Sequence, residues 1–222
     1  MASMKRIDLS HPIVPGMKTY PGLPVPEAHV FLDYDASRAR YRDRAEFYIA
    51  SLHLCGNTGT YVDAPRHRFR GGPDLAALSL DRLAHLAVVL VDACDGGRAI
   101  GPDRFAGLDV AGKAVLVRTD WSARWGTEGY FEPNPFLTGE ACARLVAAGA
   151  VFVGIDSLNI DDVDDVSRPA HTTLLGAGIP VCEHLTNLAA VPAAGGHLHA
   201  APIPWVGGAT FPVRAYVLAE GA

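Results

Sequence analysis

Charged residues, cysteines and long hydrophobic runs are all scarce in this sequence of 222 residues, and each scarcity excludes a class of protein. Charged residues make up 19% of the chain, the formal net charge is -5, and the 19 Lys and Arg are scattered. The nearest approach to a basic run, at residues 38–44, is interleaved with acidic residues, whereas a nucleic-acid surface needs an uninterrupted positive field. No apolar run is long enough to cross a bilayer. We therefore predict neither a nucleic-acid nor a membrane partner.

Targeting and cofactor signatures are missing as well. The four cysteines form no CxxC pair, and the N-terminus lacks the basic-then-apolar pattern of a signal peptide. We therefore expect a cytoplasmic protein with reduced thiols. The phosphate-binding fingerprints GxGxxG and GxxxxGK[ST] are both absent, so no nucleotide cofactor is predicted.

Hydrophobic residues, by contrast, make up 49% of the chain, which suffices for a substantial core. The length suits a single domain over residues 1–222. Apolar and β-branched segments predict strands at residues 5–9, 46–55, 87–93, 114–118, 151–155, 179–182 and 213–218. A Pro- and Gly-rich segment at residues 10–27 also carries apolar side chains, and it predicts an irregular but ordered N-terminal arm.

The clearest helix is predicted at residues 139–148. Thr138 is a suitable N-cap, Glu140 favours the first turn, and Gly149 is a natural stop. An apolar strand follows at once, which is a helix-to-strand unit of the α/β type. Because strands outnumber helices, we predict an α/β fold built on a single-domain mixed β-sheet with few covering helices.

The segment NTGTYVDAPRH, at residues 57–67, is the most informative part of the sequence. Four of its residues alternate along the chain: Asn57, Gly59, Tyr61 and Asp63. On an extended chain such residues point to one side. Pro65 fixes a bend that can bring His67 back towards Asp63, so that polar groups converge. The alternative is an ordinary turn, in which Asp63 caps backbone amides and His67 lies on the surface.

This segment resembles the signature HxGTHxDxPxH of the cyclase family, which includes kynurenine formamidases and isatin hydrolases. The matching residues are Gly59, Thr60, Asp63, Pro65 and His67. Segments at 7–12, 20–22, 117–121, 154–171 and 183–185 resemble further family motifs in order and spacing, so the similarity covers nearly the whole chain. It implies a swivelling β/β/α-like fold and a metal-dependent hydrolase of small amides or related carbonyl compounds.

The sequence departs from the family pattern at the two signature histidines, which are replaced by Asn57 and Tyr61. In the family these histidines and the aspartate hold a divalent cation, and neither Asn nor neutral Tyr replaces imidazole as a zinc ligand. The resemblance also implies a second cation position. Here that position corresponds to Asp63, His171 and Glu183.

Two models of the site follow. In one, a single divalent cation, zinc or manganese, lies on Asp63, His171 and Glu183, and His67 is the general acid/base. In the other there is no metal, and these residues form an acid/base cluster together with Tyr61. The first model predicts a hydrolase of C–N bonds. The second predicts a lyase, dehydratase or cyclase of secondary metabolism, and a third reading is an inactive ligand-binding relative.

The remaining expectations concern the substrate and the surroundings of the site. The residues expected to bind the small-molecule substrate are Tyr20, Asn57, Tyr61 and Trp121. The acidic run at 161–165 is predicted to be a solvated loop, and His184 to be structural. An exposed apolar arm at 10–27 is the kind of segment that packs across a subunit interface, so we expect a homodimer or homotetramer.

Overall fold

The structure, a computed structural model, describes residues 4–95, 97–193 and 195–220. The strands within these ranges are β1 (Met4–Asp8), β2 (Glu27–Leu32), β3 (Ile49–His53), β4 (Tyr61–Asp63), β5 (Ala84–Asp92), β6 (Ala99–Ile100), β7 (Ala114–Arg118), β8 (Phe136–Leu137), β9 (Phe152–Ile155), β10 (Val181–Glu183), β11 (Gly196–His199), β12 (Thr210–Pro212) and β13 (Tyr216–Glu220). The α-helices are α1 (Tyr34–Arg40), α2 (Gly139–Ala147) and α3 (Pro169–Gly176). Short 3₁₀ turns lie at Pro65–His67, Leu75–Ala77, Leu80–Arg82, Pro102–Phe105, Trp121–Arg124, Glu128–Phe131 and Leu188–Ala190.

Nine of these strands form one mixed sheet in the order β1-β13-β11-β5-β7-β9-β10-β4-β12. The central strands β5, β7, β9 and β10 run parallel, while the strands on either side pair antiparallel. The parallel strands are covered on both faces, which is why they read in the sequence as continuous apolar runs. The predicted α/β fold with a mixed sheet and few helices is confirmed.

The core lies on both faces of this sheet, and the alternation of side chains along β7 shows how. Val115 and Val117 pack with α2 and α3 on one face, whereas Ala114 and Leu116 pack into the cluster on the other face. Helix α2 begins as predicted, since the Thr138 side chain accepts a hydrogen bond from the Ala141 amide. None of the described helices is long and apolar enough to cross a membrane.

The segment from β2 to β3 departs most from the sequence-based expectation. The predicted strand at 46–55 is shorter, at Ile49–His53, and it pairs only with β2 in a separate two-stranded sheet. Neither β2 nor helix α1 was predicted, and α3 was missed because its apolar residues do not gather on one stripe. At the chain's other end, the predicted strand at 213–218 lies at Tyr216–Glu220.

Candidate active site

The short strand β4 is the first element of the candidate site. It lies between β10 and β12, and its register with β10 sets Tyr61 opposite Glu183 and Asp63 opposite Val181. Directly opposed residues share one face of an antiparallel pair, so Tyr61, Asp63 and Glu183 all lie on the same face. All three are buried, and the Tyr61 hydroxyl donates to Glu183 Oε2 at 2.5 Å. The predicted alternation is confirmed for Tyr61 and Asp63. It is wrong for Asn57 and Gly59, which precede the strand, because Gly59 has φ +64° and is not extended.

The turns on either side of β4 place its neighbours. Gly59 has φ +64°, a left-handed conformation that favours glycine, and it lets the chain enter β4. After β4, the 3₁₀ turn Pro65–His67 is closed by a hydrogen bond from the His67 amide to the Ala64 carbonyl at 2.8 Å. This turn brings His67 Nε2 to 3.9 Å from Asp63 Oδ1, as the bend at Pro65 predicts. The side chain of His67 stays 34% exposed.

Helix α3 contributes the third element, His171. Its Nε2 lies 3.6 Å from Asp63 Oδ2 and 3.7 Å from Glu183 Oε1. Its other ring nitrogen, Nδ1, forms a 2.6 Å hydrogen bond with Asp161 Oδ2. A carboxylate on Nδ1 orients the ring and leaves Nε2 to face the site, the arrangement found behind metal-ligating histidines.

The prediction that residues 161–165 form a solvated acidic loop is wrong for Asp161. Asp161 is fully buried, and its carboxylate also accepts hydrogen bonds from the amides of Ala170 and His171 at 2.6 and 3.1 Å. It therefore starts helix α3 and orients His171 at the same time. The run looked like a solvated loop in the sequence because acidic residues in a row give no periodicity that marks one of them as buried.

We expect Asp161→Ala to destabilise the fold by about 2–3 kcal/mol, because it leaves buried donors without an acceptor. Asp161→Asn should be milder for stability, yet it should still weaken cation binding and turnover, because an amide does not hold the His171 ring as a carboxylate does. Urea unfolding of both variants, with Asp162→Asn as the control from the same run, measures the difference. Wild-type stability and turnover in Asp161→Ala would contradict the assigned role.

Burial and the neighbouring charges both shift the pKa values of this cluster. Burial by itself lowers the pKa of His171, but its hydrogen bond to Asp161 and the nearby carboxylates of Asp63 and Glu183 raise it to about 10. Burial raises the pKa of Glu183 to about 7, with His171 acting against the shift and Asp63 adding to it. Burial also raises the pKa of the Tyr61 hydroxyl well above its usual value, so Tyr61 is a neutral hydrogen-bond donor.

The donor atoms of the cluster fit a cation. Both carboxylate oxygens of Asp63 and Nε2 of His171 are buried with no hydrogen-bond partner. Ligands about 2.1 Å from a tetrahedral ion lie about 3.4 Å apart, close to the separation of 3.6 Å between Asp63 and His171. An unpartnered buried carboxylate is costly, and a cation removes that cost.

The third ligand is less clearly marked than these two. Among the described residues, the set whose donor atoms all lie within 4.8 Å of one another is Asp63, His67 and His171. Glu183, which the resemblance implies as a ligand, uses its oxygens to accept hydrogen bonds from Tyr61 and from the Ile160 amide at 2.6 Å. Its role as a ligand stays a prediction, as does that of His67 as the acid/base.

A cavity of about 280 Å³ opens beside these residues, a size suited to a small molecule. The residues that line it are Tyr20, Leu23, Asn57, Tyr61, His67, Arg68, Asn159, Arg168, His171 and Glu183. Three of the four residues expected to bind substrate, Tyr20, Asn57 and Tyr61, line this cavity, and their role in binding stays a prediction. Leu23, Arg68 and Arg168 were missed; the one signal in the sequence was that Arg68 directly follows the signature histidine.

Trp121 is the exception among the expected substrate-binding residues. It does not belong to the cavity lining given by the described residues; it is buried, and its indole N–H donates to the Tyr130 carbonyl at 3.0 Å. Core packing with Tyr130 and Leu158 accounts for it instead. His184 is buried too, and its Nδ1 bonds the Tyr130 hydroxyl at 2.8 Å, in keeping with a structural role.

Comparisons with known proteins match this chain over most of its length. A family model described as "Putative cyclase" matches residues 7–162. A kynurenine formamidase of Salinibacter ruber is 33% identical over 213 residues, which cover 96% of each sequence. An isatin hydrolase of Roseibium aggregatum is 28% identical over 226 residues, covering 90% of this chain and 83% of the relative.

Solved structures agree with the sequence comparisons. An isatin hydrolase bound to the product analogue thioisatinate has a TM-score of 0.84 at 25% identity, over 98% of this chain and 93% of that chain. A protein described as a potential metal-dependent hydrolase with cyclase activity has a TM-score of 0.80 at 28% identity, over 99% of this chain and all of the other, 100%.

Proposed function

Because this chain belongs to the cyclase family, we infer that it is an enzyme that hydrolyses the amide bond of a small acylated or cyclic amide. The names of the two relatives, kynurenine formamidase and isatin hydrolase, support a formamide and a cyclic amide as the classes to test. The observation that carries the inference is the meeting of Asp63, His67, His171 and Glu183 beside one small cavity.

We propose that His67 moves the proton. Hydrolysis adds the oxygen of one water to the carbonyl carbon, breaks the C–N bond, and moves one proton from that water to the leaving nitrogen. His67 lines the cavity with its side chain partly exposed, whereas Asp63 is fully buried and His171 nearly so. It can therefore reach both the water and the nitrogen as general base and then general acid. Tyr61 holds Glu183 through its short hydrogen bond and keeps that carboxylate in position.

One divalent cation, zinc or manganese, fits this proposal, held by Asp63 and His171 with Glu183 as the third group. Two observations support this ion. The buried carboxylate oxygens of Asp63 and Nε2 of His171 have no hydrogen-bond partner, and His171 Nε2 lies 3.7 Å from Glu183 Oε1. When bound, such an ion lowers the pKa of a coordinated water and polarises a carbonyl oxygen.

The test is hydrolysis of a formamide and of a cyclic amide by chelator-treated protein, before and after addition of Zn²⁺ or Mn²⁺. We expect activity on at least one class, lost with the chelator and restored by one of the ions. Absence of turnover on both classes with both ions would contradict the proposed function. Full activity in chelator would show that the amide hydrolysis needs no cation.

A second candidate function is proton-transfer chemistry without a metal, as in a lyase, dehydratase or cyclase. The observation that favours it is the Tyr61–Glu183 pair, in which burial raises the pKa of Glu183 to about 7 and so suits it to exchange a proton near neutral pH. In this candidate function, the phenol of Tyr61, which stands where the family has a ligating histidine, would take part in the proton transfer.

We also expect at most one tightly held cation per chain. Asn57 accepts a hydrogen bond from the Thr210 hydroxyl at 3.0 Å, and Tyr61 donates to Glu183, so neither side chain is placed as a second imidazole would be. Elemental analysis of untagged protein measures the number. Two tightly held ions per chain would show that Asn57 or Tyr61 is a ligand after all.

A further inference from the structure

Two arginines, Arg68 and Arg168, line the same cavity as His67. Across the described ranges neither forms an ion pair with a carboxylate. Arg68 donates from Nε to the Thr172 hydroxyl at 2.9 Å, and Arg168 donates from Nη1 to the Asp162 carbonyl at 2.9 Å. Each guanidinium is thus held by a neutral acceptor and keeps further N–H donors for a ligand.

The backbone positions both arginines beside His171. Arg168 precedes α3 with φ +50°, a left-handed conformation that is strained for a non-glycine residue and that tends to occur at functional sites. Arg68 follows His67 directly, and its bond to Thr172 ties it to the same helix. The two guanidiniums therefore belong to the same wall of the cavity as the proposed reacting groups.

The charges of the cavity favour an anion. In the proposed function, the carboxylates of Asp63 and Glu183 balance one divalent cation. The buried Asp161 carboxylate, in contact with His171, balances one guanidinium, so Arg68 and Arg168 together leave one positive charge in excess. The only other polar side chains that line the described cavity belong to neutral residues such as Tyr20 and Asn159, or to histidines. A low-dielectric cleft lined by excess charge of one sign concentrates ligands of the opposite sign.

We propose that the substrate carries a carboxylate in addition to the scissile amide, and that Arg68 and Arg168 bind this carboxylate. The proposal rests on the proposed function and narrows it to anionic amides. A guanidinium presents a planar fork of N–H donors that matches a carboxylate in a bidentate pair. Tyr20 and Leu23, which also line the cavity, suit the apolar or aromatic part of such a molecule.

The experiment compares formanilide with its carboxylate-bearing analogues 2- and 4-formamidobenzoate. We expect wild-type kcat/KM to be at least tenfold higher for one of the charged analogues. Arg68→Gln and Arg168→Gln should each lower the ratio of charged to neutral kcat/KM about tenfold, mainly through KM. Glutamine can still donate to Thr172 or to the Asp162 carbonyl, so the change removes the charge more than the local structure.

The matched controls are Arg66→Gln and Arg70→Gln, two exposed arginines of the same segment that do not line the cavity. Their ratios should equal that of wild type. Equal turnover of neutral and charged substrates by wild type, or an unchanged ratio in both cavity variants, would overturn the proposal.

Binding of benzoate, with benzamide as its neutral counterpart, tests the anion site without turnover. We expect calorimetry to show benzoate binding that Arg68→Gln and Arg168→Gln weaken about tenfold, while Arg66→Gln leaves it unchanged. If no amide were hydrolysed but this pattern held, the proposed function would fail and the anion site would stand. If benzoate did not bind, or bound equally to all variants, the anion site would fail.

Discussion

Asp63→Asn is expected to abolish both cation binding and turnover. Asp63 is fully buried, its two oxygens have no hydrogen-bond partner, and it lies within 4 Å of both His67 and His171. An amide keeps the volume but removes the charge and one oxygen donor, so a cation has lost its central ligand. We expect kcat/KM to fall at least a thousandfold.

Thermal unfolding with and without metal distinguishes the loss of cation binding in Asp63→Asn from a general loss of stability. For wild type, a cation at a hundred times its Kd stabilises the fold by about 2.7 kcal/mol, or roughly 5–10 °C in Tm for a chain of this size. Asp63→Asn should show no such rise. Asp103→Asn, at an exposed aspartate away from the cavity, should behave as wild type. A normal metal-induced rise in Asp63→Asn would contradict the proposed ligand set.

His67→Ala is expected to lower kcat/KM about a thousandfold while leaving the fold intact. A positioned general acid/base contributes about 10²–10⁴ in rate, and a partly exposed side chain contributes little to packing. The free energy of unfolding should stay within about 1 kcal/mol of wild type. The rise in Tm on adding Zn²⁺ or Mn²⁺ should persist, because Asp63, His171 and Glu183 remain.

The metal-induced rise in Tm of His67→Ala distinguishes the two roles considered for His67, which are general acid/base and metal ligand. If His67→Ala lost the metal-induced rise in Tm, His67 would be the third ligand in the compact group with Asp63 and His171. Full activity in the variant would show that it is neither ligand nor acid/base. His197→Ala, on β11 outside the cavity, is the histidine control.

Local features of this protein follow from the sequence with good accuracy. The cap at Thr138 and the alternation of Tyr61 and Asp63 along β4 both depend on residues within a few positions of one another. So do the central strands, whose apolar runs are marked by composition. The family resemblance adds to what local patterns predict, because it implies His171 and Glu183 as site residues although no local pattern marks them.

Other features depend on which segments pack together, and periodicity does not encode that. Asp161 is one of several acidic residues in a row, and only the packing of α3 against β10 makes it the buried partner of His171. Arg168 reaches the cavity because a left-handed residue begins the same helix. The exposure of β2 and β3 likewise depends on tertiary structure, because these two strands pair only with each other and do not join the nine-stranded sheet.

The sequence by itself determined the fold class, the family and the residue types of the site, because alternation, capping and turn chemistry act over short distances along the chain. The tertiary structure decided which groups face one another. Tyr61 and Glu183 are 122 positions apart, and their hydrogen bond exists because β4 and β10 pair in one register. A shift of that register by one residue would turn Glu183 to the opposite face, since side chains alternate along a strand.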